Sequence, residues 1–169
     1  MLIRLVVQTK RRFRGISSVA SRQRLFPENL NVLYDSKCSL CQMEVRFLQR
    51  KDTSQRIRFT DIEAADFDES DPRNGKISYE KAMRRLHAVR NDGEVLQGTE
   101  VIRAMYSEVN LGWLYAFTKL PIVGTLVDWT YCLWAEYRTN ITRGESLSSI
   151  FDRRRTAKCT ESRCEKKFQ

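Results

Sequence analysis

The residues with the clearest chemical potential are Cys38 and Cys41, which form a C-x-x-C pair among the five cysteines of the chain. Residues three apart on a helix lie on the same side, close enough for two thiols to form a disulfide. A thiol at a helix N-terminus is stabilised as a thiolate by free N–H groups and by the helix dipole. We therefore predict Cys38 as the nucleophile. Cys41, one turn further in and more buried, is predicted to resolve a mixed disulfide.

Asp35 is the third candidate, because it lies three residues before Cys38 at the end of an apolar run. A carboxylate beside a buried second thiol can accept the proton of that thiol. The other interpretation is that Asp35 or Ser36 caps the following helix, and the two roles are compatible. Lys37 adds a positive charge that favours the thiolate. The predicted catalytic residues are therefore Cys38, Cys41 and Asp35.

The cysteine pair admits two further interpretations, an inert structural pair and one half of a zinc site. Cys159 and Cys164, near the C-terminus, could complete a four-thiolate site or exchange a disulfide with Cys38. Their C-x4-C spacing is not that of a usual zinc knuckle, which favours reduced thiols in the tail. We therefore predict a redox pair with no metal and no cofactor. Cys132, in an apolar segment, is predicted to be a core residue, and His87, at the start of a strand, to be structural.

The elements that must position the cysteines follow from the apolar pattern of the chain. An apolar run over 30–34 is typical of a strand, and an apolar stripe over 38–51 predicts a helix. An Asn-Asp-Gly turn at 91–93 predicts a β-hairpin. The order β-α-β-α-β-β-α is that of thioredoxin, so we predict an α/β thioredoxin-like fold. The other predicted elements are a strand at 57–59, a helix at 78–85, hairpin strands at 86–90 and 94–97, and a helix from Thr99.

The segment 111–135 is strongly apolar and aromatic, but Lys119, Pro121 and Asp128 interrupt it. A membrane span needs about 18–20 consecutive apolar residues, so spanning is not predicted. Two short helices separated at Pro121 fit better, as a C-terminal helical extension of the fold. We expect them to pack as core, and contact with a protein partner or with a membrane surface is the alternative.

The net charge of +9 belongs to the two ends of the chain. Residues 1–27 hold seven basic residues and no acid, residues 152–169 contribute +4, and residues 28–151 carry −2. An Arg-rich, acid-free start is typical of an organelle transit peptide, which predicts mitochondrial import, with a plastid or cytoplasmic location as alternatives. Because the middle is slightly acidic, we predict no nucleic-acid partner. The predicted organisation is a targeting segment at 1–27, a thioredoxin-like domain at 28–143 and a basic tail at 144–169.

The stretch 34–41, Tyr-Asp-Ser-Lys-Cys-Ser-Leu-Cys, resembles the D-x-x-C-x-x-C signature of the DCC family of predicted thiol-disulfide oxidoreductases. The resemblance continues through Phe-Thr-Asp at 59–61 and Leu-His-Ala-Val at 86–89, and it ends at Arg138. It covers about 28–143 of the chain. It implies a thioredoxin-like fold and dithiol chemistry at the two signature cysteines, with Asp35 as the third signature residue.

The sequence departs from the related proteins at two points. Ser36 stands where the DCC family usually has glycine. Thioredoxins also carry a cis-proline before their third strand, whereas the nearest proline before Leu86 is Pro72, fourteen residues away. The loop that normally positions the backbone of a substrate is therefore predicted to be absent.

The residues and the resemblance together predict a thiol-disulfide oxidoreductase of the protein-disulfide reductase type that uses Cys38 and Cys41. Its substrate would be a protein or a small thiol or disulfide. The alternative function is a non-catalytic accessory subunit of a mitochondrial assembly, which would dock through 111–135 and the basic tail. The two functions differ in whether the dithiol is needed.

Overall fold

A computed structural model of the protein describes residues 24–119 and 121–165. Nearly all of the predicted targeting segment lies outside these residues. The strands are β1 at Leu30–Tyr34, β2 at Ile57–Asp61, β3 at His87–Arg90 and β4 at Val95–Gln97. They form one mixed sheet in the order β2-β1-β3-β4. β1 is parallel to β2 and antiparallel to β3, and β3 and β4 form the predicted hairpin.

The helices connect the strands in the predicted order. They are α1 at Ser39–Lys51, α2 at Tyr79–Arg84, α3 at Thr99–Glu108, α4 at Pro121–Thr142 and α5 at Leu147–Glu165. Short 3-10 helices lie at Pro72–Asn74 and Gly112–Lys119. The order from β1 to α3 is β-α-β-α-β-β-α, so the chain has a thioredoxin-like fold, and α4 and α5 are its C-terminal helical extension.

β1 divides the core, because successive side chains of a strand point to opposite faces of a sheet. Leu30 and Val32 pack with Leu48 of α1 and Val101 of α3, whereas Leu33 belongs to the cluster on the other face. That second cluster includes Met83 of α2 together with Ile150 and Phe151 of α5. The turn that carries the cysteines therefore follows directly from a strand that is buried on both faces.

The break in the apolar segment 111–135 falls where the sequence predicts it. A 3-10 helix ends at Lys119 and α4 begins at Pro121, the position where proline is best tolerated in a helix. α4 then continues to Thr142, seven residues beyond the predicted segment. No described helix is both long and apolar enough to cross a membrane.

The prediction that 111–135 packs as core is wrong for much of the segment. Trp113 is 72% exposed and Trp129 is 64% exposed. Cys132, predicted as a core residue, is exposed as well. The reason is that α4 lies on the surface of the domain, and its buried positions form one narrow stripe that includes Ala135 and Thr139.

Candidate active site

Cys38 lies in the turn between β1 and α1 and is itself the N-cap residue of α1. Its Sγ accepts a hydrogen bond from the backbone N–H of Cys41 at 3.2 Å, and its carbonyl accepts one from Gln42 N–H at 3.0 Å. The alternative prediction, that Asp35 or Ser36 caps this helix, is therefore wrong. A sulfur at the positive end of a helix is stabilised as an anion, because the first N–H groups have no partner within the helix.

The two thiols of the pair differ strongly in acidity. A hydrogen bond with the Cys41 side chain is the largest cause that lowers the pKa of Cys38, against the effect of burial, to about 6. The Cys41 amide, Thr142 and the charge of Arg138 lower it further. The same thiol–thiol hydrogen bond and burial raise the pKa of Cys41 above the usual range. At neutral pH the pair therefore holds one proton, with Cys38 as the thiolate.

The exposure of the two cysteines is the reverse of the prediction. Cys38 is only 1% exposed, whereas Cys41 is half-buried. The cause is α4, since Thr142 in its last turn contacts Cys38. The sequence predicts helix only as far as 135 and indicates no contact between this region and the cysteines. The nucleophile predicted from its position in α1 is thus covered by a distant part of the chain.

Asp35 is placed at the cysteine turn with both carboxylate oxygens engaged. Its Oδ1 accepts a hydrogen bond from Lys37 N–H at 2.9 Å, and its Oδ2 lies 3.1 Å from Nη1 of Arg143. Burial raises the pKa of Asp35, and the Arg143 charge and the Lys37 amide act against that rise. These contacts fix the backbone that leads into Cys38. Asp35 therefore lies beside the cysteine pair, as the sequence predicts. The sequence does not predict its partner Arg143.

Arg143, just after α4, joins Asp35 to a second buried carboxylate, Glu63. Its Nη1 and Nη2 lie 3.0 and 3.1 Å from Oε1 of Glu63, which also accepts a hydrogen bond from Tyr79 OH at 2.5 Å. Lys37 Nζ lies 2.8 Å from the other oxygen, Oε2. Burial alone would raise the pKa of Glu63, but hydrogen bonds from Lys37, Tyr79 and Arg143 bring it below the usual value. We call Asp35, Glu63, Tyr79 and Arg143, with Lys37, the Arg143 cluster.

Arg138 of α4 places a second guanidinium beside the cysteines. Its Nη1 lies 3.6 Å from Cys41 Sγ, and its Nη2 donates a hydrogen bond to the carbonyl oxygen of Met83 at 2.8 Å. The residue is 8% exposed, and its Nε–H is buried with no hydrogen-bond partner among the described residues. A cation in this position favours anionic sulfur at the site.

A cavity of about 250 Å³ lies beside the dithiol, and both cysteines line it. Most of its wall is apolar, although Glu44 and Arg138 also line it. Leu40 and Trp134, which are 40% and 38% exposed, lie where the cavity meets solvent. The deeper apolar wall includes Val32, Val45, Leu48, Ile102 and Met105.

Of the remaining predicted candidates, His87 does not take part in this site. His87 is buried and its Nδ1 lies 2.8 Å from the carbonyl oxygen of Arg85, a structural contact of the kind predicted. The described part of the chain contains no cluster of side chains that could hold a metal. The side chains of Cys159 and Cys164 lie outside that part, so the predictions for these two cysteines stay untested.

The charged residues of the site that have no role in the sequence prediction are Glu63, Arg138 and Arg143. A signal for the arginines exists, because they follow a strongly apolar segment on a helix that covers the domain. An arginine that becomes buried needs an acidic or carbonyl partner. Glu63 carries no such signal, since the acid-rich stretch 61–71 has the composition of a solvated loop.

The fold and the paired thiols at the start of α1 define a thioredoxin-like protein with a dithiol site. The chain belongs to the family described as DCC1-like thiol-disulfide oxidoreductase, whose model matches residues 32–144, and the resemblance found in the sequence is confirmed. The chain is 36% identical over 154 residues to an uncharacterized chloroplastic protein of Arabidopsis thaliana, across 88% of this chain and 71% of that protein. No solved structure matches the chain at a significant level.

Proposed function

We propose that the protein is a thiol-disulfide oxidoreductase in which Cys38 and Cys41 form the redox pair. Family membership supports thiol-disulfide chemistry in general. The observation that carries the residue assignment is the position of Cys38 Sγ at the N-cap of α1, 3.2 Å from the Cys41 amide nitrogen. With a pKa of about 6, Cys38 is ionised at neutral pH, and the thiolate is the nucleophile in disulfide exchange.

In the reductive direction, the thiolate of Cys38 attacks one sulfur of a substrate disulfide. The substrate S–S bond breaks, one substrate thiolate leaves, and a mixed disulfide with Cys38 forms. Cys41 then gives up its proton to that leaving thiolate and attacks Cys38 Sγ, which releases the second substrate thiolate to be protonated by water. Two electrons pass from the dithiol to the substrate, and the resulting Cys38–Cys41 disulfide is reduced by a separate dithiol.

For Asp35 we propose a positioning role, with proton transfer as the second possibility. Its two oxygens are held by Lys37 and Arg143, which favours a fixed anion that shapes the turn. Its raised pKa is what a group needs if it is also to accept and return the proton of Cys41.

The sequence also predicts the type of reductase, an alternative function, a location and domain boundaries. The protein-disulfide reductase type stays a prediction, and the burial of Cys38 does not favour it. Neither the comparisons nor any contact of the described residues supports the alternative of an accessory subunit. The Arabidopsis relative is chloroplastic, so we prefer the plastid alternative to mitochondrial import. The domain boundaries at 28–143 also stay a prediction.

The proposal is tested by turnover of hydroxyethyl disulfide with the purified full chain and an excess of a dithiol reductant. Wild type should turn over, and its oxidised form should hold a Cys38–Cys41 disulfide in a peptide map. Cys38→Ser should abolish turnover, and Cys41→Ser, treated with hydroxyethyl disulfide in the absence of reductant, should hold a mixed disulfide on Cys38. Cys132→Ser is the matched control, since Cys132 is exposed and outside the site. Wild-type turnover by Cys38→Ser would overturn the assignment.

A further inference from the structure

The cavity beside the dithiol determines what can reach the nucleophile. Cys38 is 1% exposed, and residues of α4 lie against it. A disulfide on the surface of a folded protein cannot approach a sulfur covered in this way without displacement of α4. A small molecule can approach through the cavity, because Cys38 and Cys41 both form part of its wall.

The wall of the cavity selects for an apolar molecule. Aliphatic side chains from β1, α1 and α3 form its depth, and the aromatic rings of Tyr34, Tyr115, Tyr131 and Trp134 also line it. A concave, mostly apolar site with a few polar groups is the usual form of a small-molecule site. Its volume of about 250 Å³ suits one aromatic ring with a short substituent rather than a large polar substrate.

Arg138 supplies the polar selectivity of the cavity. Two of its nitrogens are engaged, since Nη1 faces Cys41 Sγ and Nη2 binds the Met83 carbonyl. Its Nε–H has no partner among the described residues, but it has almost no accessible surface and does not face the cavity. Arg138 as a whole lines the cavity and always carries a positive charge, so a ligand carboxylate gains affinity by pairing with it.

We propose that the cavity binds a small, largely apolar molecule with one carboxylate or similar acceptor group that pairs with Arg138, and that the substrate of the dithiol is a disulfide of this class. The substrate part of this inference rests on the proposed function. The electron and proton transfers are those described above, with the small disulfide as the oxidant. Glu44 also lines the cavity and places a negative charge there. Because Arg138 can pair with one carboxylate, the charge of Glu44 disfavours a ligand that carries a second acidic group.

Binding is tested in the absence of redox chemistry, with the full chain carrying Cys38→Ser and Cys41→Ser. Calorimetric titration with 3-phenylpropionate should show saturable binding, and 3-phenylpropanol, which lacks the carboxylate, should bind at least about tenfold more weakly. Adding Arg138→Gln should remove the difference between the two probes. No binding of 3-phenylpropionate, or equal affinities for both probes, would overturn the proposal.

A second variant keeps the test valid if Arg138→Gln does not fold. Ile102 lines the cavity, and Ile102→Phe should fill part of it and weaken 3-phenylpropionate binding at least about tenfold. Leu126→Phe is the matched control, because Leu126 is 62% exposed and is not part of the cavity wall. Equal affinities in these two variants would place the binding site elsewhere and contradict the proposal.

Turnover by the enzyme with intact cysteines separates this proposal from the proposed function. The ratio of kcat/KM for the mixed disulfide of 4-mercaptobenzoate and 2-mercaptoethanol to kcat/KM for hydroxyethyl disulfide should fall about tenfold in Arg138→Gln and stay unchanged in Leu126→Phe. If wild type reduces neither disulfide yet binds 3-phenylpropionate, the redox function fails and the binding site stands. If both are reduced with a ratio that Arg138→Gln does not change, the function stands and the substrate class is wrong.

Discussion

Nη1 of Arg143 lies 3.1 Å from Oδ2 of Asp35, and the two side chains are only 4% and 1% exposed. This ion pair connects the turn before Cys38 with the residue that follows α4. The same nitrogen lies 3.0 Å from Glu63, and Lys37 supplies the second cation of the cluster. The dithiol site is therefore completed by a C-terminal helix that is held in place by buried charges.

Removing the cation of this cluster is expected to be strongly destabilising. Arg143→Met leaves Asp35 and Glu63 as buried carboxylates with only Lys37 nearby, and the free energy of unfolding should fall by about 3–5 kcal/mol. Urea denaturation measures the loss. The matched control is Arg153→Met, whose ion pair with Glu145 is exposed, and its unfolding curve should stay close to that of wild type. Similar losses in both variants would contradict a special role for the buried pair.

The acidity of Cys38 is expected to appear directly in a pH titration of the reduced protein. Thiolate absorbance near 240 nm should develop with a midpoint at about pH 6, and Cys38→Ser should remove this step. Cys132→Ser should keep it, since Cys132 is exposed and outside the site. A midpoint near that of free cysteine, about pH 8.5, would show that the helix N-terminus and Cys41 do not stabilise the thiolate.

The same lowered pKa makes the stability of the reduced protein depend on pH. Between the folded pKa of about 6 and the unfolded value near 8.5, the unfolded state binds more protons at Cys38 than the folded state does. The free energy of unfolding should therefore rise with pH across this window. The stabilising contribution of the Cys38 thiolate should be lost as pH falls through about 6. The pKa of Cys41 is raised in the folded state, so Cys41 lowers the free energy of unfolding only at higher pH, where its thiol ionises in the unfolded state. Urea melts of wild type and Cys38→Ser at pH 6 and pH 8 measure the difference, and parallel behaviour of the two would contradict it.

The charge of Arg138 is expected to change the acidity of Cys38. That charge lowers the pKa of Cys38 in addition to the larger effects of the Cys41 hydrogen bonds, so Arg138→Gln should move the thiolate midpoint above about 6. Arg153→Gln removes an exposed charge from α5 and is the control; its midpoint should match wild type. A midpoint that does not move in Arg138→Gln would contradict an effect of the guanidinium on the thiols.

The parts of the structure that the sequence predicts well are set by neighbouring residues. The strand at 30–34, the Asn-Asp-Gly hairpin and the placement of Cys38 at the start of a helix each depend on a few consecutive positions. The order of these elements then leaves few topologies to consider, which is why the thioredoxin-like fold is confirmed.

The parts that the sequence does not predict depend on contacts between distant residues. Asp35 and Arg143 are 108 positions apart, and no local pattern indicates that they pair. The burial of Cys38 has the same origin, since α4 contributes Thr142 to the start of α1. The sequence also does not predict that one aromatic face of α4 is exposed. An apolar segment has the same composition whether one or both of its sides are covered in the fold.

The hydrogen bond between Tyr131 of α4 and Leu86, just before β3, tests whether the position of α4 limits access to Cys38. Tyr131 OH accepts a hydrogen bond from the backbone N–H of Leu86 at 2.9 Å, and Tyr131→Phe leaves that N–H without its partner. The free energy of unfolding should fall by about 1–3 kcal/mol. Because the helix that covers Cys38 is then held less firmly, alkylation of Cys38 by iodoacetamide should also become faster.

The matched control for this change is Tyr137→Phe, on the same helix, where the side chain is 53% exposed. It should alter the free energy of unfolding by less than about 0.5 kcal/mol and leave the alkylation rate of Cys38 unchanged. If Tyr131→Phe lowers stability but alkylation of Cys38 keeps its wild-type rate, the reagent reaches the thiolate through the cavity alone and movement of α4 is not needed. Faster alkylation in Tyr131→Phe alone would instead establish that the contact between α4 and Leu86, just before β3, controls access to the nucleophile, since only that variant loosens the helix.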